Sequence, residues 1–429
     1  MESCIVIGGG IAGLTSAAYL TKQNVKVTLL ESSPKLGGRA YSFTEQKSND
    51  VVDNGQHILM GCYSDTINFL KLIGAKENFI YQKRLCINFL TQAGKLVRLK
   101  SFTSIYPFNL IFALLNFKAI TYTERLSLIR FVIKLPFISH QKLSDKNIRD
   151  WLKEEKQSDA TIKSLWEIIA IGALNTNIDK ASAFIFREIL MKIFFNGNFA
   201  STIILPKNGL SDAYVKNAKK YIESNGGKIK LSSSVKEFII SDNKIVGIKT
   251  AKEVYKDFDY VISAIPFYAF NNIFSELFWD EKIEFEYSSI LNIHIWLKNN
   301  TMKEQFYGLI DSPVHWIFNK GNHINLVISD ADYLIDKPAE EIYNMCINEL
   351  IKYTELEESD ILHYKVLKEK RATFVPSNKN NYIRPSSKTK IANLFLAGDW
   401  TDTGLPSTIE SAVKSGRVAA ELILAECQM

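Results

Sequence analysis

Residues 4–14 read Cys-Ile-Val-Ile-Gly-Gly-Gly-Ile-Ala-Gly-Leu, and this stretch decides the fold. An apolar run, Cys4 to Ile7, breaks into three glycines and then resumes with helix-forming residues, which indicates a strand, a tight turn and a helix. A second apolar run, Val25 to Leu30, ends in Glu31 and completes a strand-helix-strand unit of about 30 residues. Such a unit belongs to a parallel sheet, so we expect an α/β fold.

The glycines of this stretch form the pattern G-x-G-x-x-G between a strand and a helix, which predicts a Rossmann-like dinucleotide site. Gly8 permits the tight turn, Gly10 lets a pyrophosphate approach the backbone, and Gly13 brings the helix against the strand. Ile11 and Ala12 open the helix, whose N-terminus would face the phosphates. A carboxylate at Glu31 would accept hydrogen bonds from a ribose and repel a 2′-phosphate, which favours FAD or NAD over NADP.

The amino-acid composition excludes some classes of protein and of partner. The chain has 429 residues, of which 46% are hydrophobic and 23% are charged, and these values exclude wholesale disorder. Lysine and arginine exceed aspartate and glutamate by 52 to 46, and a net charge of +6 is too small to predict a nucleic-acid partner. The five cysteines lack metal-binding spacing, so we expect no metal site and a reducing, cytoplasmic location.

The pattern of hydrophobic residues divides the chain into segments. We predict a discontinuous FAD-binding domain made of residues 1–64, a β-meander in 201–268 and a final part in 386–429. Helical periodicity dominates 65–200, and alternating residues in 269–385 predict an antiparallel sheet with one helix. The two inserted segments, 65–200 and 269–385, would form an α+β substrate domain.

Two further motifs extend the dinucleotide pattern. Gly37-Gly38-Arg39 follows Glu31 closely, and residues 394–415 read as a buried strand, Gly398-Asp399 and a helix. In this order the motifs resemble the flavin amine oxidase and phytoene desaturase superfamily. The resemblance implies that Arg39 approaches the pyrophosphate, that Asp399 meets the ribityl and pyrophosphate region, and that the last helix points its N-terminus at the flavin pyrimidine.

Four other segments narrow the resemblance. They are DNGQH at 53–57, ALNT at 173–176, Leu205-Pro206 with Gly209-Leu210, and AGDWTDTGLPSTIESAV at 397–413. Together they resemble the squalene-associated FAD-dependent desaturase family, the hydroxysqualene dehydroxylases of hopanoid and squalene biosynthesis. The implied reaction replaces the hydroxyl group of a C30 isoprenoid with hydrogen, using hydride from reduced FAD. The sequence contains no second G-x-G-x-x-G pattern for NAD(P)H. The external reductant could therefore be NAD(P)H or another protein.

The resemblance also implies a set of site residues. Those expected to bind FAD are Gly8, Gly10, Ile11, Ala12, Gly13, Glu31, Gly38, Arg39, Gly55, Gln56, His57, Val235, Gly398, Asp399, Thr408 and Ile409. A general acid is needed near the flavin, and His57 and Asp53 are the candidates. His57 fits equally well a role in holding the flavin or a backbone carbonyl. Trp400 is the aromatic residue nearest a flavin motif, where its face could stabilise a cation.

Other functions remain open at this point. The same flavin motifs occur in carotenoid desaturases or isomerases, in amine oxidases, and in prenyl-lipid escort proteins without redox activity. Residues 102–138 combine Phe, Ile and Leu clusters with four basic residues: Lys118, Arg125, Arg130 and Lys134. This segment could lie on the inner face of the cytoplasmic membrane and admit a lipid substrate, or it could pack on its own domain. The oligomeric state is left open.

Overall fold

The structure, a computed structural model, describes residues 1–278 and 283–427. The first predicted segment contains β1 Ser3–Ile7, α1 Ile11–Lys22, β2 Lys26–Leu30, β3 Ser42–Thr44, β4 Val51–Asp53 and β5 Leu59–Met60. The second contains α2 Ser64–Leu72, β6 Phe79–Tyr81, β7 Cys86–Leu90, β8 Leu96–Lys100, α3 Phe108–Leu115, α4 Tyr122–Lys134, α5 Ile148–Glu154, α6 Asp159–Thr161, α7 Glu167–Leu174 and α8 Ala183–Phe195.

The third contains β9 Ile203–Pro206, α9 Lys216–Ser224, β10 Lys228–Lys230, β11 Val235–Ser241, β12 Lys244–Thr250, β13 Val254–Tyr255, β14 Tyr260–Ser263 and the start of α10 Phe267–Phe278. The fourth contains β15 Tyr287–Leu297, β16 Phe306–Leu309, β17 Trp316–Asn319, β18 His323–Ser329, α11 Ala339–Tyr353, β19 Ile361–Phe374 and α12 Asn378–Tyr382. Its residues 279–282 lie outside the described part of the chain. The last contains β20 Leu394–Leu396 and α13 Ile409–Glu426.

A parallel sheet forms the nucleotide-binding half, in the strand order β10-β2-β1-β14-β20. Alternate residues of β1 enter two different cores: Cys4 and Val6 pack beneath α1 and α13, while Ile5 and Ile7 pack on the opposite face. Burial on both faces explains why β1 is a continuous apolar run. The predicted α/β fold is confirmed, whereas the exact boundaries of the five segments stay predictions.

A second, seven-stranded sheet has the order β19-β15-β18-β17-β16-β7-β8. Leu291, Ile293 and Ile295 of β15 pack against α11 on one face. On the other face, residues such as Phe89 and Trp316 pack against the helices of 65–200. This second face, which we call the wall, contacts the nucleotide-binding half where the Nε2 of His294 lies 3.2 Å from the carbonyl oxygen of Asp53.

Two parts of this sheet were not predicted. β7 and β8 form a hairpin inside the segment expected to be helical, because two five-residue strands leave little periodic signal beside the longer helices. β19 has 14 residues, most of them partly buried, and its charged residues hide the alternation that marks a strand. No helix in the described ranges is long and apolar enough to cross a lipid bilayer.

Candidate active site

The turn between β1 and α1 needs glycine at its two ends for steric reasons. Gly8 has φ +106°, and a Cβ there would lie 2.8 Å from the carbonyl oxygen of Ala264. A Cβ at Gly13 would lie 1.9 Å from the carbonyl oxygen of Gly8, which is an impossible contact. These two glycines therefore let the helix and strand meet closely, as the sequence predicts.

Gly10 is different because it faces open space. A Cβ at Gly10 would have one described atom within 4 Å, the Cα of Gly38 at 3.8 Å. Gly10 is also the N-cap of α1, its φ is −72°, and no side chain caps the helix. The free N–H groups of the first helical turn thus border a space that a pyrophosphate can enter.

Glu31 lies directly beside the glycine turn at the end of β2. Its Oε2 accepts a hydrogen bond from the N–H of Gly9 at 2.6 Å, and its Oε1 accepts one from the N–H of Ser33 at 2.7 Å. The carboxylate is buried, so these two bonds hold it in place. Its contact with a ribose stays a prediction, for which this position is suitable.

Arg39 and Asp399 form an ion pair although 360 residues separate them. Arg39 also donates to the carbonyl oxygen of Ala372 at 3.1 Å, and the hydroxyl group of Ser407 donates to Asp399. Burial raises the pKa of the Asp399 carboxyl, but Arg39 and Ser407 outweigh burial and hold that pKa below its ordinary value. The Arg39 side chain stays 40% exposed, so a phosphate can reach it.

Arg384 organises the loop after β20, and the sequence analysis missed it. Its buried guanidinium donates to the carbonyl oxygens of Leu405 at 2.7 Å, of Asp399 at 3.0 Å and of Thr401. It also donates to the hydroxyl of Thr403 at 3.1 Å. No motif predicts this arginine, because most of its partners are backbone atoms that only the folded loop brings together.

Thr408 caps the N-terminus of α13, and its hydroxyl accepts a hydrogen bond from the N–H of Ser411 at 3.2 Å. Glu410, two residues after Thr408, was not among the predicted site residues. Its buried carboxylate accepts from the N–H groups of Asp65 at 3.0 Å and Thr66 at 2.8 Å, at the N-terminus of α2. Glu410 therefore joins two helices that border the site.

Asp53 is the last residue of β4, and His57 lies in the segment that follows this strand. Asp53 is buried, and its Oδ1 accepts hydrogen bonds from the hydroxyl of Ser42 and the N–H of Leu210, both at 2.8 Å. Asp53 therefore connects this segment to Leu210, at the start of the helical turn that precedes α9. His57 is half-buried, and its ring makes no hydrogen bond within the described residues. The acid roles of both residues stay predictions.

The environment of His57 favours its neutral form. Burial lowers its pKa, Arg39 lowers the pKa further, and the carboxylate of Asp53 opposes both effects. His57 borders a cavity of about 10 Å³ beside the first turn of α1. The residues that line this cavity are Ile11, His57, Leu59, Thr66, Leu70, Phe79, Leu210, Tyr214 and Ile409. The cavity thus brings together predicted residues from three distant motifs.

Three other residues named from the sequence, Val235, Ala12 and Trp400, lie in the protein core. Val235 begins β11 and packs with Ile7 and Leu30 under the nucleotide sheet. Ala12 is buried where α13 crosses α1. Trp400 is buried against Phe267 and its Nε1 donates to the carbonyl oxygen of Ile265 at 3.0 Å, so its face is not free for a cation.

These observations fit a bound FAD. The open space at Gly10, the uncapped first turn of α1 and the exposed guanidinium of Arg39 suit a pyrophosphate. The buried Nε2 of Gln56 has no hydrogen-bond partner, which suits a polar ligand atom beside this segment. Within residues 1–278 and 283–427, no cluster of three or more His, Cys, Asp or Glu side chains could hold a metal ion.

Comparison with known proteins agrees with this site. The sequence profile of the flavin containing amine oxidoreductases matches residues 11–424. The chain is 28% identical to hydroxysqualene dehydroxylase of Zymomonas mobilis over 98% of each chain, and 23% identical to zeta-carotene desaturase of Synechocystis sp. over 98% of this chain and 96% of the other. An oxidoreductase from Methanosarcina mazei has the same fold, with a TM-score of 0.74 and 18% identity over 98% of this chain and 100% of the other. The chain therefore belongs to the flavin containing amine oxidoreductase family and is an FAD-dependent oxidoreductase, as its sequence motifs predict.

Proposed function

We propose that this protein removes the hydroxyl group of hydroxysqualene and releases squalene. The observation that carries the proposal is the similarity to a hydroxysqualene dehydroxylase over 98% of both chains. His57 and Ile409 come from two of the segments that carry the resemblance to this family, and both line the cavity beside α1. The similarity to zeta-carotene desaturase is lower, so desaturation of a carotenoid is the second candidate.

The wall beside this site suits a hydrocarbon chain. On the face of the seven-stranded sheet that turns towards the nucleotide half, Phe306, Trp316 and Val327 pack into a core shared with the helices of 65–200. Ile290 and Leu205 are partly buried at the edge of the same core. A substrate of 30 carbons with one hydroxyl group needs such a surface for nearly all of its length.

In the proposed reaction the C–O bond breaks, the oxygen leaves as water after taking up a proton, and a hydride forms the new C–H bond. Reduced FAD, when bound, supplies the hydride, and an external reductant such as NAD(P)H restores it. Gly10 and Arg39 would hold the pyrophosphate. The N-terminus of α13, capped by Thr408, would favour negative charge near it. The protein must also exclude water and deliver the proton.

The direct test uses purified protein that is loaded with FAD, reduced without oxygen and mixed with hydroxysqualene. We expect squalene as the product, detected by chromatography and mass spectrometry. Parallel reactions with oxidised protein and phytoene test desaturation. Desaturated carotenoids in place of squalene would establish the second candidate, and oxygen consumption with simple amines would indicate an amine oxidase instead.

His57→Ala tests the origin of the proton. If His57 is the general acid, kcat should fall by about 100-fold because the substituted chain cannot protonate the leaving oxygen. In the wild type, kcat should fall as pH rises through the pKa of His57, which burial places below 6.5. This pH dependence should disappear in the variant. His140→Ala, which changes an exposed histidine, is the control. An unchanged kcat in His57→Ala would remove His57 from the proton transfer.

We also propose that residues 102–138 rest on a lipid surface. Nine large hydrophobic side chains of this segment are exposed: Phe102, Ile105, Tyr106, Phe108, Phe112, Tyr122, Leu126, Ile133 and Phe137. Tyr122, Leu126 and Ile133 follow helical spacing and share one face of α4, opposite its buried residues Leu128 and Phe131. An amphipathic helix with its apolar face outwards is typical of proteins that bind the membrane interface.

The charges of the segment support the same proposal. Lys118 and Arg130 are exposed beside the apolar side chains and would attract anionic lipid headgroups. Arg125 has another role, since its guanidinium donates to the carbonyl oxygens of Ile120 and Leu115 and closes the link between α3 and α4. A lipid surface would deliver a substrate that is insoluble in water.

Replacing Phe108 and Phe137 by aspartate should release the protein from membranes. Each exposed phenylalanine that enters the lipid contributes roughly 1.5–3 kcal/mol, so we expect binding to phosphatidylglycerol vesicles to weaken at least about tenfold. Vesicle sedimentation measures this. The matched control replaces Tyr333 and Tyr382, equally exposed aromatic residues elsewhere, by aspartate. Equal binding of both double variants would contradict a docking role for 102–138.

A further inference from the structure

Four of the buried polar atoms that lack hydrogen-bond partners lie on the seven-stranded sheet and on residues 53–57, the segment that the sheet contacts. In the part of the chain that the structure describes, these atoms are Gln56 Nε2, Asn292 Nδ2, His294 Nδ1 and Asn325 Oδ1. The Nε2 of His294 lies 3.2 Å from the carbonyl oxygen of Asp53, and a Cβ at Gly55 would lie 3.5 Å from Asn292 Nδ2. The sheet therefore presents this polar cluster to the segment that holds His57.

Asn292 and Asn325 form a pair across neighbouring strands, β15 and β18. Both side chains are completely buried, and the Nδ2 of Asn325 donates to the Oδ1 of Asn292 at 3.1 Å. This bond fixes the orientation of the Asn292 carboxamide. It leaves Asn292 with a free donor and Asn325 with a free acceptor. A hydroxyl group, which both accepts and donates, is the natural complement to this pair.

The surroundings make unpaired amides costly here. A buried polar atom without a partner costs roughly 1–3 kcal/mol, and an apolar residue of similar size would avoid that cost. Two neighbours on the same face, Ile290 and Val327, are apolar, whereas His294 and Asn325 are polar. A buried amide that keeps an unpaired donor beside them indicates a ligand that pairs with it.

The cluster also selects for an uncharged ligand. Gln56, Asn292 and Asn325 are amides, and His294 is neutral because burial and the nearby His323 lower its pKa to about 3. A neutral His294 whose Nε2 donates to the Asp53 carbonyl keeps Nδ1 as an acceptor. An alcohol on a hydrocarbon chain meets these requirements without bringing a charge into the apolar wall.

We propose that Asn292 binds the hydroxyl group of the substrate, donating a hydrogen bond from Nδ2 to the hydroxyl oxygen, and that Asn325 positions the Asn292 carboxamide. The inference rests on the proposed function and identifies the residue that recognises its substrate. It places the C–O bond next to Gly55 and within the segment of His57. Squalene lacks the oxygen and leaves Asn292 unpaired, so the product binds more weakly than the substrate and is released.

The experiment compares the affinities of hydroxysqualene and squalene for the oxidised FAD-loaded protein. Each compound is titrated from detergent micelles, and the change in flavin absorbance reports binding. One hydrogen bond contributes about 1–1.5 kcal/mol, so the wild type should bind hydroxysqualene roughly tenfold more tightly than squalene. In Asn292→Leu the two dissociation constants should become equal, while squalene binds at least as tightly as before. Asn325→Leu should reduce the preference in part.

Two controls separate this role from others. Asn88→Leu makes the same change at a buried asparagine of β7, on the face of the sheet opposite Phe89, and should keep the tenfold preference. The FAD content and the flavin spectrum without ligand should be unchanged in Asn292→Leu. An unchanged preference in Asn292→Leu overturns the inference, and so does loss of FAD, which would assign Asn292 to the cofactor. If the wild type neither prefers nor converts hydroxysqualene, the proposed function fails, and this inference fails with it.

Discussion

Gly10→Val should give a folded chain that no longer holds flavin. The backbone at Gly10 has φ −72°, which valine adopts, and its Cβ would contact no described atom closer than 3.8 Å. The valine side chain would instead fill the space before the first turn of α1, where the pyrophosphate needs free N–H groups. Losing these charge-assisted hydrogen bonds costs about 3 kcal/mol, on the order of 100-fold in FAD affinity.

The measurement has two parts. Titration of flavin-free protein with FAD gives the affinity, and thermal unfolding of the same flavin-free protein shows that the fold survives. Gly13→Ala is the contrasting variant, because its added methyl group would lie 1.9 Å from the carbonyl oxygen of Gly8 and should destabilise the chain even without FAD. A Gly10→Val protein that binds FAD normally would contradict the placement of the pyrophosphate.

Arg384→Ala should have the largest effect on stability. The variant leaves the carbonyl oxygens of Thr401 and Leu405 buried without the donor that now satisfies them, and the carbonyl oxygen of Asp399 keeps only the Ser411 hydroxyl at 3.4 Å. Each unpaired carbonyl costs roughly 1–3 kcal/mol, so the free energy of unfolding should fall by at least about 2 kcal/mol. Urea unfolding of the flavin-free protein measures the change, and FAD affinity should fall because the loop carries Asp399.

Lys388→Ala provides a matched control for this prediction. Lys388 pairs with Glu426 on the surface, where its side chain is 64% exposed, so its loss should change stability by less than about 1 kcal/mol. Arg384→Lys should be intermediate, because one ammonium group cannot reach the three carbonyl oxygens that the planar guanidinium spans. Equal stability of the Arg384→Ala and Lys388→Ala proteins would show that the loop after β20 does not need Arg384 to keep its structure.

The sequence predicted local structure wherever a short motif determines the backbone conformation of its own residues. The glycines at 8, 10 and 13 predict a strand, a turn and a helix because Gly8 and Gly13 are required sterically and Gly10 leaves space before the helix, and the structure has these elements at the expected residues. The capping role of Thr408 is likewise local. The flavin cofactor and the α/β fold followed from these local signals together with the family resemblance.

Long-range partners could not be predicted from the sequence. Asp399 meets Arg39, Glu410 caps α2, and Asn292 pairs with Asn325, and in each case folding decides which residues meet. A single sequence contains no signal for such pairs, since any buried carboxylate or amide has many candidates. The same reason explains why β19 was missed, because its role depends on pairing with β15 rather than on its own pattern.

The ion pair of Arg39 with Asp399 also sets the order in which the working protein can form. Arg39 belongs to the segment of the chain that is synthesised early, and Asp399 follows 360 residues later. The strand before Asp399, β20, completes the edge of the nucleotide sheet by pairing with β14. A nascent chain whose β20 is still inside the ribosome therefore lacks Asp399, one of the two partners of this ion pair. Cofactor loading is thus a late event in biogenesis, after the inserted substrate elements have already been made.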